Sequence, residues 1–102
     1  VLAGVAFDKK QVGSATYDRL TDKISYALSD TVDGYFHGTG DVFASALLGA
    51  YLNGLTLAES ARIAVDYTHG CIERTKEAET DLRYGVDFEH GIPDLLRQTG
   101  II

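Results

Sequence analysis

The chain has 102 residues, of which 45% are hydrophobic and 24% charged, the make-up of one ordinary globular unit rather than several domains. Its formal net charge is −6, and its basic residues (Lys9, Lys10, Arg19, Lys23, Arg62, Arg74, Lys76, Arg83 and Arg97) are dispersed, which argues against nucleic-acid binding. A nucleotide is not excluded on that ground, because local donors can outweigh a screened global field.

Val1–Phe7 is a continuous apolar run and reads as a strand covered on both faces. The chain opens on Val1 inside that run and contains no Met, so the expectation is a piece whose N-terminal portion is missing. Val12–Asp18 and Lys23–Ser29 alternate polar and apolar positions around "RLTD" and predict a β-hairpin with one solvated face. Tyr17 and Tyr26 suit cross-strand pairing there.

A Gly- and Asp-rich loop, "SDTVDGYFHGTG", leads to a helix that starts near Asp41. That helix is apolar all round, which predicts burial on most faces. "NG" at Asn53–Gly54 is a common stop. The uncharged run Val42–Ala58 is not a membrane span, since Ser45, Gly49, Asn53, Gly54 and Thr56 interrupt it. No signal peptide is visible.

The next helix opens with Thr56 and Glu59 at capping-box spacing. Leu57, Ala61, Ala64, Val65, Thr68 and Ile72 form its apolar stripe, and Glu59, Arg62, Asp66, Glu73 and Arg74 its wet positions. Cys71, the one cysteine, lies in this pattern and reads as a small buried side chain. "TKEAETDLRYG" is a charged connector, and a last short helix, Pro93–Thr99, opens with proline. His37, His69 and His90 are too far apart to signal zinc. His37 adjoins the Gly-rich loop, His69 reads as partly exposed or hydrogen-bonded in packing, and His90 as a surface residue.

A strand, a hairpin and then helices suggest the trailing part of an α/β sheet. Within it, "GTGD" at Gly38–Asp41 carries the chemistry. Gly38 and Gly40 let the backbone turn sharply and approach a ligand closely. The helix that follows points unpaired N–H groups and its dipole at the loop, which makes an anion site. Asp41 is accounted for either as a first-turn acid that complements the dipole or as a base that takes a proton from a hydroxyl. The second role suits phosphoryl transfer, whose loose transition state needs positioning more than a strong base.

"HGTGDVFASALLGAYLNGLTLAESARIAVDYT" resembles the C-terminal signature of the ribokinase-like (PfkB) superfamily, and within it the pyridoxal/pyridoxine kinases. The tail "RYGVDFEHGIPDLL" resembles their C-terminal end. The resemblance implies the C-terminal part of a three-layer α/β/α sandwich. Residues 1–102 would then be the nucleotide-binding and catalytic portion of a single domain. It implies a cytoplasmic kinase that transfers the ATP γ-phosphate, with Mg2+, to the 5′-hydroxymethyl of a B6 vitamer. By motif, Gly38, Thr39 and Gly40 would form the anion hole and Asp41 the catalytic base, with Val32 in the adenine pocket. Gly4 lies where the family has a glycine near the phosphates, but Ala3 replaces the polar residue beside it.

The family's acidic Mg2+ motif and its ring-holding residues are absent from the sequence, so no metal ligands are expected within it, and the chain alone should be inactive without the missing portion. Such kinases form homodimers, and no nucleic-acid or membrane partner is implied. A hydroxymethylpyrimidine kinase or a sugar kinase on the same scaffold is the near alternative. A non-catalytic phosphate-binding module, with Asp41 only capping its helix, is the alternative of another class.

Overall fold

The computed structural model describes residues 1–6, 8–31, 39–77 and 88–100. Val32, His37 and Gly38 lie outside them, as does most of the charged connector and the side chain of His90. Three strands, β1 (Leu2–Val5), β2 (Gln11–Asp18) and β3 (Lys23–Asp30), form an antiparallel sheet in the order β1-β2-β3. The helices are α1 (Thr39–Leu52), α2 (Leu57–Glu77) and α3 (Ile92–Gln98), the last preceded by a 3-10 turn at Glu89–Gly91.

The predicted hairpin forms, with Tyr17 opposite Ile24 and Tyr26 opposite Ala15. Short polar side chains shape the turns of the sheet. Asp8 Oδ1 accepts from the Lys10 and Gln11 amides at 2.7 and 3.1 Å, and Asp18 Oδ1 accepts from Leu20 N at 2.9 Å. Gly13 fits so closely against β3 that any Cβ there would overlap the Ala27 carbonyl.

The alternation has the opposite sense from the one its polarity suggests. Ser14, Thr16 and Ala27 share the buried face, at 0%, 2% and 5% exposure. Leu2, Tyr17, Ile24 and Tyr26 share the other face, and each is at least half exposed. The reason is steric: α2 lies across β3 and β2, and small side chains let its backbone come close. On α2, Ala61 lines a cavity together with Thr16 and Ala27, and it is equally small and almost wholly buried. The described elements therefore supply the sheet and a helical covering on one of its faces.

Two other expectations change for the same reason. Among the described residues β1 is not covered on both faces; it lies at the edge of the sheet beside β2, with Leu2 and Val1 exposed. α1 is not buried on most faces either. Only Ala46 and Ala50 are buried, while Leu48, Tyr51 and Leu52 stand in solvent, because α2 is the main element packed against it.

The helix ends follow the sequence more closely. Asn53 Nδ2 donates to Gly49 O at 2.7 Å, and Gly54 takes φ 91°, the left-handed conformation that stops α1. Thr56 Oγ1 accepts from Glu59 N at 3.1 Å, capping α2. The apolar stripe of α2 points inward as expected, and α2 runs on through Thr75 to Glu77, so the connector starts later than the charge pattern suggests.

Ala46, Ala64, Tyr67 and Cys71 form the core between α1 and α2, with Phe43, Ile72 and Leu95 packed around them. Arg74 is not a wet position. It is partly buried, with Nη2 donating to Cys71 Sγ at 3.2 Å, and it lies so close to Gly91 that a side chain there would strike it. Arg62 does stay exposed, donating from Nη2 to Leu28 O at 2.6 Å and to Asp66 at 2.7 Å, and so ties α2 to β3.

Candidate functional site

A cavity of about 550 Å³, the main one considered below, opens where the sheet meets the start of α1. Its floor is Ala3 and Gly4 of β1 with Val12 and Gly13 of β2. Ser29, Asp30 and Thr31 at the end of β3 form one side. Thr39, Gly40 and Phe43 of α1 form another, and Val65, Thr68, His69 and Ile72 of α2 close it. The volume falls within the roughly 300–1,000 Å³ range of small-molecule sites.

Local sequence explains how these residues meet. Gly4 takes φ 75° at an irregularity in the β1–β2 register, between Ala3 and Val5, a conformation that side chains other than glycine resist. On the sequence alone Gly4 was not a site residue, because of its neighbour Ala3; in the structure both line the cavity. The available signal was a lone glycine inside an apolar strand, the mark of a bulge or a close backbone approach.

Thr39 and Gly40 occupy the first turn of α1 and line the cavity. The first amides of a helix have no intrahelical acceptor, so this turn presents donors and the positive end of the dipole. Gly40 itself does not make a sharp turn, because it is already helical. A Cβ built on it would meet no described atom within 4 Å. Neither the backbone nor the packing of the described residues requires glycine there, although glycine weakens a helix.

Asp41 lies one residue further along, in the same helical turn, and is exposed. No described residue bonds its carboxylate. It does not line the main cavity. It borders a second one of about 440 Å³, whose walls are Val42, Ala46, Tyr67, Phe88, Ile92 and Leu95. The first turn of α1 thus stands between two cavities, with Thr39 and Gly40 on one side and Asp41 on the other. No set of three His, Cys, Asp or Glu side chains able to hold a metal ion occurs among the described residues. Nor is any helix among them long and apolar enough to cross a membrane.

A three-stranded antiparallel sheet with three helices, arranged this way, matches the C-terminal part of a pyridoxal kinase fold. The solved structure in question is the pyridoxal kinase from Lactobacillus plantarum, which superposes with a TM-score of 0.80 at 25% sequence identity. The match covers 90% of this chain and 33% of that one, so the chain spans only a third of the length of the structure it resembles. No protein-family model matches the chain, and no curated protein does.

Proposed function

We propose that this chain is the C-terminal, nucleotide-binding and catalytic portion of an ATP-dependent kinase acting on a small alcohol, the 5′-hydroxymethyl of a B6 vitamer. The observation that carries the reading is the first turn of α1. It combines helix-end donors lining a ligand-sized cavity, a glycine that the described fold does not require, and an adjacent carboxylate that no described residue bonds. The likeness to a pyridoxal kinase adds support for the class of reaction.

In this mechanism the amides at Thr39 and Gly40, with Gly38 before them, hold the migrating phosphoryl group. The donors at Thr39 and Gly40 are fixed by the helix end, so little reorganisation accompanies the transfer; one such donor is worth about 3 kcal/mol. Asp41 orients the acceptor hydroxyl and takes its proton as the new P–O bond forms. A positioned base of this kind contributes roughly 10²- to 10⁴-fold. Magnesium, entering with the nucleotide, would neutralise phosphate charge. Val32 would contribute to the adenine pocket, and a homodimer is the assembly proposed for the complete enzyme.

The test is a panel of acceptors offered to the complete protein with ATP: pyridoxal, pyridoxine, pyridoxamine, a hydroxymethylpyrimidine and simple sugars. Phosphorylation of the vitamers ahead of the others supports the reading. Preference for the pyrimidine or a sugar keeps the chemistry and changes the substrate. Nucleotide binding without transfer to any acceptor defeats the kinase reading in favour of a binding module.

A further inference from the structure

One side chain in the main cavity has no task in the transfer described above. Val65, Thr68, His69 and Ile72 recur at i, i+3, i+4 and i+7, so one face of α2 forms this wall. Among them His69 is the titratable residue, and its side chain is only 22% exposed. Its Nε2 is shielded from solvent and lies 3.1 Å from Glu73 Oε1, in an orientation that makes no hydrogen bond. A carboxylate only accepts, so it favours a proton on Nε2 and leaves Nδ1 of the neutral ring as an acceptor. Val12, Phe43, Val65 and Ile72 give the cavity apolar walls suited to a planar ring, while Thr39 and Gly40 suit its phosphate end.

We propose that His69 selects the base of the donor nucleotide, with Nδ1 accepting a hydrogen bond from the exocyclic amine of adenine. Guanine carries a carbonyl oxygen at the same ring position, and two acceptors cannot pair. The nearby charge of Glu73 favours that tautomer without bonding it. This inference rests on the kinase reading and deepens it.

The experiment measures dissociation constants of the complete protein for ATP, GTP and inorganic tripolyphosphate by calorimetry. The unmodified protein is expected to bind ATP about 10-fold more tightly than GTP, the equivalent of one hydrogen bond. His69→Phe keeps a planar ring without its nitrogens. It should bring the ATP-to-GTP ratio close to one and leave tripolyphosphate, which has no base, unchanged. His69→Ala should give the same collapse, so the result does not hang on the folding of one variant.

A ratio retained in both variants overturns the proposal. So does an equal loss for tripolyphosphate, which would mark a packing role, or a preference for GTP in the unmodified protein. Failure of the unmodified protein to bind any of the three defeats the kinase reading and this inference together. Binding of all three with a ratio indifferent to His69 defeats the inference alone.

Discussion

Replacing Gly40 by alanine should move stability and activity in opposite directions. The added methyl meets no described atom within 4 Å, and Gly40 is already helical, so the described fold accommodates it without strain. Alanine also removes conformational freedom from the unfolded chain. A compatible Gly→Ala change is worth about 0.4–1 kcal/mol of stability. In a domain this size, 1 kcal/mol corresponds to about 4–8 °C, so the melting midpoint should rise by roughly 2–8 °C. In the proposed mechanism the same methyl stands at the helix end that receives the phosphoryl group. Displacing it from one amide donor costs about 3 kcal/mol, or roughly 10²-fold in turnover. Thermal denaturation followed by circular dichroism, beside a phosphoryl-transfer assay on the complete protein, reads both quantities. A variant that melts lower would show that the fold itself needs this glycine. One that melts higher and turns over normally would show that no ligand approaches the turn.

Ser14 is fully buried and its Oγ has no hydrogen-bond partner among the described residues. An unmet buried hydroxyl carries a cost of about 1–3 kcal/mol, so Ser14→Ala should leave the urea midpoint unchanged or raise it. A clear fall would mean that the hydroxyl is satisfied in solution. Tyr17 donates its phenolic hydrogen to Asp22 Oδ1 at 2.8 Å, and this bond, with lesser help from desolvation and the charge of Asp18, raises its pKa above the ordinary 10.0. The associated stability is complete below that ordinary value and is lost as pH rises through the higher folded one. The ultraviolet difference between the unmodified protein and Tyr17→Phe should accordingly show one phenol ionising above 10.0; ionisation at or below that value would remove the Asp22 bond from the account.

The element order was legible in the sequence because local chemistry decides it. Asn53–Gly54 stops α1, Thr56 caps α2, and the alternation of β2 and β3 produces their pairing. Which sheet face would be covered was not legible. Polarity points to the hydroxyl face as the wet one, yet Ser14 and Thr16 are buried because a helix packs closely on short side chains of any polarity. The exposure of β1 and α1 was equally hidden, since an apolar run records what a segment would bury, not what its described neighbours can reach.

That Thr39, Gly40 and Asp41 stand at the opening of a helix was legible, since the Gly-rich stretch ends where the helical pattern begins. The place of Gly4 and His69 beside it was not. They meet Thr39 and Gly40 only through tertiary packing of β1 and α2. The separation of Asp41 from the main cavity is also a packing result, since it depends on where Tyr67, Phe88 and Leu95 stand against α1.

Whether the carboxylate of Asp41 receives the proton of a phosphoryl acceptor is decided most directly by Asp41→Asn, which keeps the shape of the exposed side chain and removes its basicity. Single-turnover transfer from ATP to pyridoxal, measured in the complete protein beside the dissociation constant for ATP, should slow by roughly 10²- to 10⁴-fold with nucleotide affinity little changed. Transfer at the unmodified rate, with the variant folded and saturated with ATP, would contradict the account.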